Sequence, residues 1–155
     1  IISITEIHQK TGYIPEIRML TGKSCIDQAR SALISEFYYE NTDEDLFMFI
    51  DSDHVFATDD IVSAIKIGGD ISCGIYSNSI GMPTCFFMNP EKFFSNQDNR
   101  LLYAGTGFMM IRRPILARIH QYLLAQNNNQ SVGTKVENVN FEVIPFFKQQ
   151  IGRGV

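Results

Sequence analysis

Leu46-Phe47-Met48-Phe49-Ile50-Asp51-Ser52-Asp53-His54 runs five apolar residues without interruption into two carboxylates and an imidazole. An apolar run of that length with acids on both sides reads as a central parallel strand covered on both faces. Downstream, Thr58 is expected as the N-cap of a helix with Asp59 and Asp60 in its first turn. Ile61, Ala64 and Ile65 would form its buried face, and Gly68-Gly69 would stop it. Residues 71–76 form the next predicted strand. Upstream, Ser24 with Asp27 makes a capping box opening a helix that runs through Tyr39, with Ile26, Ala29, Leu33 and Phe37 as its buried stripe. Residues 14–20 are rich in apolar and β-branched side chains and are predicted as a strand. Ile1, Ile4 and Ile7 recur at helical spacing before Gly12, so residues 1–10 read as a helix.

Helices alternating with apolar strands indicate an α/β fold with a mixed, mainly parallel sheet flanked by helices. A doubly wound sheet opens on a buried strand, whereas this sequence opens on a helix. We therefore expect the first strand to be missing from it. After Pro83 the pattern changes to short strands at 85–88, 101–103 and 108–111, and Pro114 opens a helix to about residue 124. No repeat appears, and residues 1–155 read as one domain.

The chain has 155 residues, 45% of them hydrophobic, with 13 basic and 17 acidic side chains and a formal charge of −4. Nine of the acids fall between Ser31 and Ile65, a window with no Lys or Arg; elsewhere 13 bases outnumber eight acids. The bases are scattered, with Arg112-Arg113 the only adjacent pair, which argues against nucleic acid as a partner. No apolar run approaches the roughly 20 residues of a bilayer-spanning helix, and no leader segment is recognisable, so no membrane span is expected. Cys25, Cys73 and Cys85 are odd in number and far apart, and read as small buried thiols in a reducing compartment. The expected location is the cytoplasm, or the host cytoplasm if a virus encodes the chain; its Asn- and Ile-rich composition suits an AT-rich bacterial or large-virus genome.

Two carboxylates two residues apart, just past the carboxyl end of a strand, sit where open α/β sheets bind ligands. They can converge on one hard divalent cation, which in turn neutralises a diphosphate. The same Asp-x-Asp also describes a solvated acidic loop capping the next helix. The burial expected of the preceding strand and the local lack of bases favour the metal.

Phe49-Ile50-Asp51-Ser52-Asp53 resembles the Asp-x-Asp motif of nucleotide-sugar-dependent glycosyltransferases with the GT-A fold, in a small bacterial or viral form. Asp27-Gln28-Ala29-Arg30, Gly74-Ile75-Tyr76, the segment Ala104-Gly105-Thr106-Gly107-Phe108 and Glu137-Asn138-Val139-Asn140-Phe141 follow in matching order, so the resemblance spans most of the chain from Ile14 onward. It implies a Rossmann-like GT-A domain whose residues 1–80 bind nucleotide and whose residues 81–155 serve sugar and acceptor. The implied reaction moves a sugar from a nucleoside-diphosphate donor, UDP preferred, to a glycan, glycoconjugate or other hydroxyl acceptor. Asp53 would bind Mn²⁺ or Mg²⁺, and Asp51 would complete the metal shell or contact the ribose. Thr21, Arg30, Ser52 and Tyr76 would face the donor, Gly105, Thr106 and Gly107 the sugar and acceptor. Glu137 falls at the position of a catalytic base, although Asn138 replaces the acid that commonly follows it. Each also has an ordinary reading: Arg30 as an ion pair with Asp27, Thr21 as a turn residue, Tyr76 as core, and Gly105 to Gly107 as a turn between strands. His8, His54 and His120 show no spacing that favours metal ligation.

Two other functions fit. Asp51-Ser52-Asp53-His54-Val55 also matches the nucleophile motif of haloacid-dehalogenase-type phosphohydrolases, in which Asp51 would attack phosphorus with Mg²⁺ bound. That chemistry needs a further acidic pair downstream, and after Asp60 the acids are isolated. A domain that binds a nucleotide sugar without turnover is the other.

Overall fold

Ser3 accepts the Glu6 N–H on its hydroxyl at 3.2 Å, and Gly12 adopts φ 80°, so the first helix is capped by a side chain at one end and a left-handed glycine at the other. The computed structural model describes residues 3–19, 25–40, 43–77, 80–87, 101–128, 130–135 and 140–147. In chain order the elements are α1 (Ile4–Thr11), α2 (Ile26–Tyr39), β1 (Leu46–Ile50), α3 (Thr58–Ile67), β2 (Ile71–Cys73), β3 (Cys85–Phe87), β4 (Leu101–Ala104), β5 (Phe108–Arg112), α4 (Arg113–Gln126), β6 (Thr134–Lys135) and β7 (Glu142–Val143). They gather into two compact units, Ile1–Pro15 with Met48–Ile111, and Glu16–Phe47 with Arg112–Val155.

In the first unit, the Ile7 side chain of α1 is buried against Ile61, Val62 and Ala64 of α3 and Phe108 of β5. Polar contacts fix the same pairing: Ser3 donates its N–H to Thr58 Oγ1 at 3.1 Å, and Lys10 reaches both Glu6 and Asp59 at 2.7 Å. These exposed ion pairs set direction more than they add stability. The three-stranded sheet has the order β1-β5-β2. β2 runs antiparallel to β5, with Ile71 opposite Ile111 and Cys73 opposite Met109. Asp51 donates its N–H to Gly107 O at 2.8 Å, placing the end of β1 beside the start of β5, so β1 also runs against β5. β1 and β2 therefore point the same way, with α3 as their crossover and β5 inserted between them. β3 and β4 form a separate antiparallel pair.

In the second unit, Arg113 closes the carboxyl end of α2. Its guanidinium donates to the carbonyls of Phe37, Tyr38 and Glu40 and to that of Glu44, and it lies 4.0 Å above the Phe37 ring. α2 carries no basic residue in its own last turn, so this cation supplies what the helix dipole lacks there. Two buried serines on α2 tie down the segment around β7. Ser35 Oγ accepts the Ile144 N–H at 2.9 Å and donates to the Ile144 carbonyl at 3.4 Å; Ser31 treats Phe147 likewise, at 3.1 and 3.2 Å.

The mixed α/β class and most element positions match the sequence reading, but several details differ. Among the described residues the paired strands are antiparallel, not mainly parallel, and β1 is an edge of its sheet. The strand covered on both faces is β5, whose Phe108 to Ile111 are all buried. Residues 13–19 are irregular instead of a strand; Ile14, Ile17 and Met19 are exposed, and Arg18 pairs with Glu16, Glu36 and Glu40. The buried face of α2 is Ser31, Ile34, Ser35 and Phe37; Ile26 is exposed and Ala29 and Leu33 half-buried, because the serines turn inward to satisfy backbone. Cys25 caps α2 without a side-chain bond, and Ser24 lies outside the described residues. Ala57, not Thr58, caps α3, with Asp60 accepting the Ala57 N–H at 2.7 Å. β2 ends at Cys73, short of the 71–76 expected. Only Cys85 of the three thiols is buried; Cys25 is exposed.

Removing the Ser35 hydroxyl leaves the Ile144 N–H buried without an acceptor. Ser35→Ala is expected to cost about 1–3 kcal/mol in urea unfolding, against a few tenths for an exposed serine. A cost below about 0.5 kcal/mol would show that the serine pair does not hold this segment.

Candidate functional site

The site begins where β1 runs out. Asp51 follows the strand directly, and the turn that leads towards α3 is closed by the His54 N–H donating to Asp51 O at 3.0 Å. This tight return brings Asp51, Asp53 and His54 together: one ligand atom from each lies within 4.8 Å of the others. They are the only such group among the described residues. Asp51 and His54 are half-buried, whereas the Asp53 side chain is 88% exposed and Ser52 is exposed. His54 Nδ1 lies 3.3 Å from Asp53 Oδ1. His54 Nε2 is buried and has no hydrogen-bond partner among the described residues.

Tyr76 and the glycine segment complete the arrangement. The Tyr76 hydroxyl accepts the Gly107 N–H at 2.9 Å, and its ring meets His54 edge to face with centroids 4.2 Å apart. Gly105 N–H donates to Thr84 O at 2.6 Å, and Thr84 N–H donates to Tyr76 O at 2.9 Å, so Tyr76 is held from both ends. Gly107 itself must be glycine. A Cβ there would stand 2.6 Å from His54 Cε1, 2.6 Å from the Tyr76 hydroxyl and 2.8 Å from Asp51 Oδ2. Three side chains thus converge on the point where Gly107 carries only hydrogen. Gly105 is similarly hemmed in, 2.6 Å from the Tyr76 hydroxyl to its ideal Cβ.

Of the residues proposed from sequence, Asp51, Ser52, Asp53, Tyr76, Gly105, Thr106 and Gly107 all belong to the first unit, and Asp51, Asp53, Tyr76 and Gly107 gather around one point. Arg30 is half-buried on α2, in the second unit. Thr21 and Glu137 lie outside the described residues. His54 was set aside on spacing and is the residue missed. The signal was its place one position after Asp53, where a turn rather than a regular element folds neighbours in sequence onto one spot. His8 and His120 keep ordinary roles, the first against Gly12 O and the second against Tyr38.

Chemically the group offers two carboxylate donors and one imidazole, a set that suits a hard or borderline divalent cation. Three observations fit a resident ion: the donor set, the unpartnered Nε2, and the space that a Cβ at Gly107 would fill. Beside the carboxylates lies a cleft of about 270 Å³ whose lining includes His54, Tyr76, Phe108 and Cys73. Burial, with Cys85 nearby, pushes the Cys73 thiol above its ordinary pKa, so it is neutral and weakly reactive.

Gly107→Ala forces the Asp51, His54 and Tyr76 side chains apart. Mn²⁺ affinity measured by calorimetry is expected to fall by about 10-fold or more, the usual penalty for disturbing groups that position metal ligands. Unchanged affinity would mean that the ion does not sit against this glycine.

No protein-family model, curated protein or solved structure matches this chain, so the site is read from its own geometry.

Proposed function

We propose that this chain is a metal-dependent glycosyltransferase domain of the GT-A type, moving a sugar from a nucleoside-diphosphate donor, UDP-sugar in the first instance, to a hydroxyl acceptor on a glycan or glycoconjugate. The observation that carries the reading is the convergence of Asp51, Asp53 and His54 at the end of β1 against Gly107 of the Gly-Thr-Gly segment. Support also comes from two strands pointing the same way, joined through α3, with the carboxylates at the carboxyl end of the first. No second acidic pair joins this group among the described residues, which disfavours the phosphohydrolase.

In this reading Asp51 and Asp53 hold Mn²⁺ or Mg²⁺, with His54 as a third group within reach. The bound cation offsets the charge that develops on the departing nucleoside diphosphate. The chain's own contribution is positioning. Asp51 is fixed through its N–H on Gly107 O and Gly107 through its N–H on the Tyr76 hydroxyl, and the hydrogen-only Cα of Gly107 lets the Asp51, His54 and Tyr76 side chains close on one point. Glu137 is the base this reading assigns to the acceptor. All three cysteines are free thiols, which suits a reducing cytoplasm, and no helix among the described residues is long and apolar enough to cross a membrane.

Thermal unfolding with a panel of nucleoside diphosphates tests the proposal. UDP is expected to raise the Tm only when Mn²⁺ or Mg²⁺ is present, by the equivalent of about 2.7 kcal/mol at 100 times Kd, and Asp53→Ala is expected to abolish the effect. Metal-independent stabilisation, or phosphate release from phosphomonoesters that stops in Asp51→Asn, would reject the transferase.

A further inference from the structure

Residues 16–19 carry a strand signal that the fold of one chain leaves unused. Glu16 and Arg18 meet at 2.7 Å, as i and i+2 do on one face of an extended chain, and on that face Arg18 also reaches Glu40 at 2.6 Å and Glu36 at 3.6 Å. Ile17 and Met19 therefore lie on the opposite face, where they are 65% and 84% exposed. Residues 16–19 make no backbone hydrogen bond among the described residues. Exposed apolar side chains along an unpaired extended backbone are a template for another strand. The charges select which strand. Glu16-Ile17-Arg18 is self-complementary when paired antiparallel about Ile17, since Glu16 falls opposite Arg18 of a second copy and Arg18 opposite the second copy's Glu16. Parallel pairing in register would set Glu against Glu. The edge strand β1 fails the same comparison, because antiparallel pairing about Met48 would set Asp45 opposite Asp51 of the second copy.

We propose that two copies of this chain pair through residues 15–19 as antiparallel strands about a two-fold axis at Ile17. Two hydrogen-bond phases are possible, and Pro15 selects between them. If Ile17 met its twin as a hydrogen-bonded pair, Pro15, opposite Met19, would also have to donate, and it has no N–H. With Ile17 at a non-hydrogen-bonded pair, Glu16 and Arg18 exchange N–H···O=C bonds across the axis and Pro15 needs none. One face of the ribbon then sets Ile17 against Ile17 and Met19 against Pro15, which withdraws exposed apolar surface from water. On the other face each copy crowds Glu16, Glu36 and Glu40 around a single Arg18. The second copy's guanidinium takes up Glu16 and leaves Arg18 to the two glutamates of α2. The strand expected at 14–20 thus forms between chains, and an interface of this kind is isologous and closes at two copies.

Cross-linking reads the register directly. Ile17→Cys and Met19→Cys, both at exposed positions, are compared in a Cys25→Ser background that removes the exposed native thiol. At a non-hydrogen-bonded pair the two Cβ atoms lie about 4.5–5.5 Å apart, whereas position 19 of one copy stands about 13 Å along the strand from position 19 of the other, beyond disulfide reach. Mild oxidation is expected to link Ile17→Cys into a covalent dimer about 10-fold faster than Met19→Cys. In sedimentation velocity the unmodified chain is expected to move towards twice the monomer mass as its concentration rises. Glu16→Arg and Arg18→Glu each set like charges opposite one another at two places, and each alone is expected to weaken the dimer about 10-fold. An equimolar mixture of the two variants restores opposite charges at both places and is expected to recover dimerisation, which variants that had merely lost their fold would not do. Equal cross-linking at 17 and 19, a chain that stays monomeric as its concentration rises, or a mixture no more dimeric than its components overturns the proposal.

Discussion

The candidate site depends on one backbone bond, from the Asp51 N–H to the Gly107 carbonyl at 2.8 Å. It joins the first residue past β1 to the residue before β5, and so places the acidic turn against the Gly-Thr-Gly segment. Everything else at the site is referred to that junction. Tyr76 reaches it from beyond β2 through the Gly107 N–H, and His54 is packed on Tyr76. Gly107 therefore uses its carbonyl to hold the backbone of Asp51 and its N–H to hold the side chain of Tyr76. Its missing Cβ is what lets Asp51, His54 and Tyr76 approach one another.

That junction exists because β5 lies between β1 and β2. The apolar run 46–50 and the run 108–111 look alike in sequence, and composition alone does not say which is covered on both faces. Burial separates them: Phe108 to Ile111 are all buried, whereas only Phe49 of β1 is. Local signals were legible where the physics is local. Gly12 ends α1, Gly68 follows α3, and Pro114 sits at the start of α4, each through a backbone preference that a single residue carries, whereas the Ser3 cap that starts α1 at Ile4 went unread. Strand order and direction were not legible, since they depend on partners far apart in the chain. The face of α2 was misread for a related reason: Ser31 and Ser35 count as polar in a periodicity, yet their hydroxyls are fully used by the backbone of Phe147 and Ile144 and so can be buried.

The acidic window between residues 31 and 65 divides in the same way. Glu36 and Glu40 meet Arg18, Asp45 meets Arg112, Asp59 meets Lys10, and Asp60 caps the backbone of α3. All three of these bases lie outside the window in sequence and are brought in by folding, which is why a local count of charges exaggerated the excess. The basic pair Arg112-Arg113 is likewise spent on structure, against Asp45 and the end of α2. Asp53 differs, because its nearest charged or chargeable partner is His54, itself short of a hydrogen bond.

Those assignments change what the negative charge means. A carboxylate neutralised by Arg or Lys has no need of an ion, and five of the nine acids in the window are engaged with a base or a helix N-terminus. Asp51 and Asp53 are drawn to one point by a turn, a backbone bond and a glycine, with an imidazole beside them. Like charges held close repel, and that cost falls away when a divalent cation lies between them. In the proposed reading such a cation would also reverse the sign of the local field, and a diphosphate would then be attracted to a strand end that would otherwise repel it.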